Sequence, residues 1–261
     1  MGKITEALRK AAEERLGRID KISRIHEQKA LVIKKIGDSK VDPRLVTYFD
    51  PKALISEQYR ILRTNILSTS AKRPVKTLVI TSAVHSEGKT ITALNLAMAI
   101  AQSTQKPKVL LIDADLRRGS VAKYLGVDQK TGLTEILTDK ADVADVLFHI
   151  DMDNLAFIAS GAVAENPAEL LGSEKMKEFL AEMKTQFDYV LIDTPPIISV
   201  TDSGILGSQA EGVLMVIQAG RTQRGIVKRA EELLTQAHSK ILGHVLTNIE
   251  YHLPEYIYRY L

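Results

Sequence analysis

The chain has 261 residues, 45% of them hydrophobic, with no cysteine and no tryptophan. Composition therefore excludes disulfides, thiolate metal sites and iron–sulfur ligation, and the length suits one large α/β domain with a modest extension. The net charge of +3 is uneven: residues 1–40 carry eleven Lys or Arg against six Asp or Glu, and the remainder 24 against 26. A weakly acidic globule with a basic lead-in is not composed like a nucleic-acid binder, but it suits an anionic membrane surface, an acidic partner or simply a solvated helix face.

In chain order, Ile4, Leu8, Ala12, Leu16 and Ile19 recur at steps of three and four, which predicts an amphipathic helix dented at Gly17. "GDSKVDPRLVTYFDP" reads as a linker or extended arm, with Pro43 and Pro51 as breakers. The expected organisation is thus residues 1–50 as basic helix and linker, 51–249 as the main domain, and 250–261 as a tail. "LISEQYRILRTNILSTS" follows as a second helix. The longest apolar stretch, "ALNLAMAIA", is short for a membrane span and carries Asn95, and the start has no signal-peptide core. A cytoplasmic chain is the expectation.

From Thr77 the pattern changes to short apolar runs separated by helical stretches: "TLVITSA", "KVLLIDAD", "LAFIAS", "YVLIDTPP", "GVLMVIQAG" and "ILGHVLTNI". Continuously apolar strands are covered on both faces, which predicts an α/β fold with a doubly wound, mainly parallel sheet. Ligands then bind at the carboxyl ends of the strands.

The chemistry-bearing residues occupy those ends. After the first strand, "SAVHSEGKT" closes on Gly88-Lys89-Thr90, the end of a phosphate-binding loop in which Ala83 replaces the usual first glycine. Ser86, Glu87, Gly88, Lys89, Thr90 and Ile91 are the predicted nucleotide contacts. Lys89 would reach the terminal phosphate oxygens, and backbone N–H groups would hold the rest. Asp113 and Asp115 end the second run and Asp193 the fourth. One such Asp could serve only as a helix cap or turn former. Three at the ends of two strands, with Gly-Lys-Thr after a third, point to Mg²⁺ shared with a nucleotide and ligated by Thr90, Asp113 and Asp193.

In sequence, "SEQYRILRTNI", the phosphate loop, "LLIDADLRRG", "NPAELL" and "FDYVLIDTPP" resemble the bacterial tyrosine autokinases that regulate capsule and exopolysaccharide synthesis, a family within the MinD/ParA-like P-loop ATPases. The resemblance spans roughly residues 54–249. It implies MgATP as phosphoryl donor and a ring-like homo-oligomer with Glu57, Arg60 and Arg63 at the subunit contact. It also implies a membrane-embedded polysaccharide co-polymerase as activator, with recruitment to the inner face of the membrane. The acceptors would be the tail tyrosines Tyr251, Tyr256, Tyr258 and Tyr260, phosphorylated by a neighbouring copy. Alternation of the last three equally suits one face of a terminal edge strand. Asp115 is the candidate base for the phenol proton, with Asp113 second, and Lys89 and Arg117 would neutralise the transferring group. His85-Ser86 stands where the family often has Pro-Gly, and Ser and His resist positive φ. Val84 stands where MinD and ParA relatives carry an extra lysine. A membrane-cycling switch ATPase and a non-catalytic nucleotide-bound scaffold are the alternative readings.

Overall fold

The computed structural model describes residues 40–69 and 75–249. The expected N-terminal amphipathic helix and the tyrosine tail lie outside the described residues. Seven strands form one sheet: β1 (Thr77–Ser82), β2 (Val109–Asp113), β3 (Leu147–His149), β4 (Leu155–Ile158), β5 (Tyr189–Asp193), β6 (Gly212–Gln218) and β7 (Ile241–Thr247). Their order is β3-β4-β2-β5-β1-β6-β7, and every neighbouring pair is parallel except β3 with β4. The six predicted strands are present in a doubly wound arrangement. The addition is β3, a three-residue, partly exposed antiparallel edge. Its Leu-Phe-His sequence is too short to show periodicity.

Strand residues of alternate parity feed two separate cores, which is why the runs are continuously apolar. Val79, Leu110, Ile112, Val190, Ile192 and Met215 pack on one face. That face is covered by the helices Glu174–Gln186, Asp202–Gln209 and Arg224–Gln236. Leu78, Ile80, Leu111, Phe157, Leu191 and Val216 pack on the other, under the helices Leu54–Thr69 and Lys89–Ala101. The apolar stretch "ALNLAMAIA" lies within the helix Lys89–Ala101 and is buried all round, because sheet and helix enclose it from opposite sides. Among the described residues no helix is long and apolar enough to cross a membrane.

The predicted linker departs from expectation at its C-terminal part. Val41, Leu45 and Val46 are buried, and Val46–Phe49 form a short helix. The anchor is Asn95, fully buried in the helix Lys89–Ala101. Its Oδ1 accepts the Thr47 N–H at 2.9 Å, and its Nδ2 donates to the carbonyls of Arg44 (3.1 Å) and Ile91 (2.9 Å). Gln102 Nε2 adds a bond to the Thr47 carbonyl at 3.1 Å. A polar residue on an apolar helix thus satisfies a chain that has no strand partner of its own. Asn95→Ala leaves the Thr47 N–H and Arg44 carbonyl unpaired. It should lower unfolding free energy by about 2–3 kcal/mol with little change of slope in a urea titration.

Candidate active site

The loop between β1 and the helix Lys89–Ala101 ends at Gly88, whose φ of +90° is left-handed. An added Cβ would only touch Thr247 Cγ2 at 3.6 Å, so the backbone angle rather than space selects glycine there. Ser86 also takes a positive φ, +64°. The expected resistance of serine is overcome at a cost of roughly 1–2 kcal/mol. Such strain persists only where the surroundings over-determine the backbone. Here Ser82 Oγ donates to the Val84 carbonyl (2.7 Å), Arg221 Nη1 to the Ser86 carbonyl (3.3 Å), and Thr247 Oγ1 to the Glu87 carbonyl (2.8 Å).

Glu87 is the residue whose role the sequence did not reveal. Its side chain is buried and turned into the protein: Oε2 accepts the Val84 N–H at 2.7 Å, and Oε1 accepts the Gln218 N–H at 3.1 Å and the Thr222 hydroxyl. Its carboxylate therefore shapes the loop, leaving only its main chain to face a ligand. No local pattern distinguishes such a glutamate, because two of its three partners, Gln218 and Thr222, are more than 130 residues away. Arg221 and Thr222, just beyond the end of β6, are struts of the loop. The first intrahelical bond runs from the Thr92 N–H to the Gly88 carbonyl at 2.8 Å. The N–H groups of Lys89, Thr90 and Ile91 precede it, at the positive end of the helix.

β2 and β5 are neighbours, and Asp113 and Asp193 are register partners at their ends. Thr90 Oγ1 donates to Asp193 Oδ2 at 2.6 Å. Lys89 Nζ lies 3.4 Å from Asp115 Oδ2 and 3.5 Å from Asp193 Oδ2. Asp113 Oδ2 accepts the N–H groups of Ser120 (2.7 Å) and Val121 (2.9 Å), and Oδ1 that of Asp115 (3.2 Å). The capping role weighed for a strand-end Asp is real for Asp113, which binds the start of the short helix Val121–Tyr124. β2 ends at Asp113, so Asp115 occupies the following turn, where its Oδ1 accepts the Arg118 N–H at 3.0 Å.

Burial and then the neighbouring Asp193 charge push the Asp113 carboxyl up to about 7. Burial likewise raises Asp193, against the opposing pull of Lys89 and Thr90. Burial disfavours the Lys89 ammonium, but Asp193, Asp115 and Asp113 together raise its pKa.

Magnesium is tested against this donor set. Asp193 Oδ1 is buried without a hydrogen-bond partner, beside the Thr90 hydroxyl. No group of three or more acidic, His or Cys side chains among the described residues forms a cage. A hydroxyl and a carboxylate with an unused oxygen suit a hard cation that takes its other ligands from phosphate and water. The residues fit. Asp113, committed to three N–H groups, stands behind Thr90 and Asp193.

The remaining predicted residues are placed as follows. Arg117 forks onto the fully buried Asp202, with Nε to Oδ2 at 3.0 Å and a second guanidinium nitrogen to Oδ1 at 3.2 Å. It therefore ties the loop after β2 to the helix Asp202–Gln209. Arg60 pairs with Glu57 on the exposed side of its helix, Nε to Oε2 at 2.7 Å. Arg63 turns inward and donates to the Ala99 carbonyl at 2.8 Å.

Because the Asp113 pKa is raised by folding, its contribution favours the folded state at low pH and is lost as pH rises from about 4 through about 7. Asp113→Asn should accordingly flatten the decline of nucleotide-free melting temperature between pH 5 and pH 8, gaining stability relative to the parent at the upper end.

A family model described as an AAA domain matches residues 75–241. The tyrosine-protein kinase YwqD of Bacillus subtilis is 40% identical over 216 residues, covering 83% of this chain and 90% of YwqD. The tyrosine-protein kinase CpsD of Streptococcus agalactiae is 36% identical over 201 residues, 77% of this chain and 86% of the relative. Among solved structures, the kinase domain of the Escherichia coli tyrosine kinase ETK superposes with a TM-score of 0.74 at 31% identity, covering 80% of this chain and 83% of that domain. With relatives of this identity aligned over nearly their whole length, the chain belongs to the family of bacterial tyrosine-protein kinases, built on an AAA domain.

Proposed function

We propose that this kinase transfers the γ-phosphoryl of ATP to Tyr251, Tyr256, Tyr258 and Tyr260 of a neighbouring copy, and that the transfer regulates capsule or exopolysaccharide assembly. The observation that carries the reading is the position of Lys89, held between Asp115 and Asp193 at the start of the loop helix. Its ammonium is paired within the protein and lies where a terminal phosphate would compete for it.

The residues divide the work. N–H groups of the loop and first helical turn cradle the phosphates, and Lys89 swings from Asp115 onto the terminal oxygens. A magnesium ion held by Thr90 and Asp193 would supply further neutralisation of the phosphate charge. Departure of Lys89 strips Asp115 Oδ2 of its cation and leaves it able to take a proton. Asp113 is the weaker candidate base, since its oxygens already accept three N–H groups. In the transfer, the phenol oxygen bonds to the γ-phosphorus while the bond to the bridging oxygen breaks. That electron pair leaves with ADP, and the phenol proton passes to Asp115. Arg117 acts through Asp202, fixing the turn that carries Asp115.

In this reading the exposed side of the helix Leu54–Thr69 forms the subunit contact of a ring-like homo-oligomer. Leu54 and Ile61, seven residues apart on that side, are each 53% exposed beside Glu57 and Arg60. The basic residues 1–40 and a membrane-embedded co-polymerase would recruit the assembly to the cytoplasmic membrane surface.

With γ-labelled ATP and Mg²⁺, the full chain should label its tail tyrosines. Lys89→Met should lower that label about a hundredfold or more, and replacing all four tail tyrosines by phenylalanine should abolish it. Free phosphate without protein label would overturn the reading in favour of a switch ATPase. Ile61→Glu should lower the solution mass by light scattering and reduce transfer between copies, while ATP affinity stays within about twofold.

A further inference from the structure

Among the described residues, β7 pairs on one side only, with β6. The Thr247 carbonyl accepts the Ala219 N–H at 2.9 Å, so Thr247 turns its backbone polar groups toward β6. Alternation along the strand gives Gly243 and Val245 the same direction. It points the N–H and C=O of His244 and Leu246 out over the free edge. The side chains of His244 and Leu246 share the face of the helix Arg224–Gln236, where His244 meets Glu231 at 2.9 Å and Leu246 is 55% exposed. On the other face, a Cβ at Gly243 would meet no described atom within 4 Å. An edge with unpaired backbone groups, an exposed leucine and an open notch is a template for one more strand.

The chain continues past this edge with residues 250–261, and Pro254 limits how they can pair with it. Proline has no N–H, so in an added antiparallel strand it must stand opposite a residue directed toward β6. Opposite Gly243, Val245 or Thr247, the connecting loop has two, four or six residues. A two-residue loop needs positive φ at both Asn248 and Ile249, or glycine first, and only Asn248 is positive, at +53°. A six-residue loop sets Glu255 against Leu246 and leaves Leu253 unmatched. The four-residue loop Asn248–Tyr251 sets Leu253 opposite Leu246, Pro254 opposite Val245 and Tyr256 opposite Gly243. An aromatic ring beside an edge glycine fills the space that the glycine leaves. Pairing stops there, because Leu242 is an extra residue in the ladder with β6.

We propose that the free edge of β7 binds residues 252–256 of its own chain as an antiparallel strand, sheltering Tyr256 until that strand lifts off. The short loop keeps the segment beside the edge at high effective concentration, which favours the chain's own tail over a second copy. Tyr251 lies in the loop and Tyr258 and Tyr260 lie beyond the paired arm, so Tyr256 is the acceptor withheld. The sheltering rests on the kinase reading above; the docking does not.

Amide hydrogen exchange of the nucleotide-free full chain, resolved by NMR, tests the docking. The His244 and Leu246 amides should exchange about tenfold more slowly than in Glu255→Pro, which removes the N–H facing His244. Those of Val245 and Thr247, directed toward β6, should stay within about twofold. Equal exchange at His244 and Leu246 in the two chains would overturn the docking. The chain has no cysteine, so Leu246→Cys with Leu253→Cys can form one disulfide. It should close within one chain about fivefold faster than the slipped pair Leu246→Cys with Glu255→Cys. Equal rates, or a covalent dimer in place of the internal bond, would also overturn the docking. The oxidised Leu246→Cys, Leu253→Cys chain, carrying Lys89→Met, is then offered to a donor with phenylalanine at all four tail tyrosines. Tyr256 should take about tenfold less phosphate than in the reduced chain, while Tyr260 keeps its label. Equal label at Tyr256 would overturn the sheltering. No tail label in either form would overturn the kinase reading and the sheltering with it, leaving the docking to stand on exchange and cross-linking.

Discussion

Two carboxylates with almost no access to water, Asp113 and Asp193, lie side by side on adjacent parallel strands. Desolvation alone would expel such a pair or neutralise it. The fold retains it by surrounding it with unequal partners. Asp113 is satisfied by three backbone N–H groups, and Asp193 by one hydroxyl and one ammonium. That asymmetry divides their uses. A carboxylate filled by fixed N–H donors is a structural cap, whereas one with an unpartnered oxygen keeps an acceptor position free for a further ligand. Asp193 Oδ1 is the buried oxygen of the pair that no donor among the described residues reaches.

The phosphate loop shows a second compromise. With alanine at its first position and serine at a left-handed position, it lacks the glycines that would let it adopt its shape freely. Long-range braces replace that freedom: Glu87 to the end of β6, Arg221 to the Ser86 carbonyl, and Thr247 from β7 to the Glu87 carbonyl. These contacts join the loop to two strands on the side of the sheet away from β2. Its geometry therefore depends on tertiary structure more than on its own residues.

What was legible in the sequence follows from this. Strands buried on both faces cannot avoid continuous apolar runs, so six of them, their parallel arrangement and the strand-end carboxylates could be read directly. The edge strand β3 could not, because three half-covered residues carry no period. Nor could the packing of residues 41–49, whose binding partner is a single buried amide in a distant helix. Lys89, Thr90, Asp115 and Asp193 converge as their motif spacing implies. Glu87, Arg63 and Arg117 found partners that spacing does not encode, the carbonyl of Ala99 and the buried Asp202 among them. Charge type indicated that each needed an opposite pole, but only the fold decides which pole lies within 3 Å.

The Arg117–Asp202 fork bears on how the two halves of the site stay in register. Arg117 is two residues past Asp115, and Asp202 begins the helix that follows the Asp193 strand. Asp202 is fully buried, so its charge has strong reason to keep that partner, and the bidentate geometry fixes the arginine in orientation as well as position. Asp115 and Asp193 are thereby held at opposite ends of one rigid connection, with Lys89 between them. A lysine midway between two fixed carboxylates can leave both for a phosphate without either moving to fill the gap. In the proposed transfer, that immobility would keep a proton acceptor and a cation ligand in place.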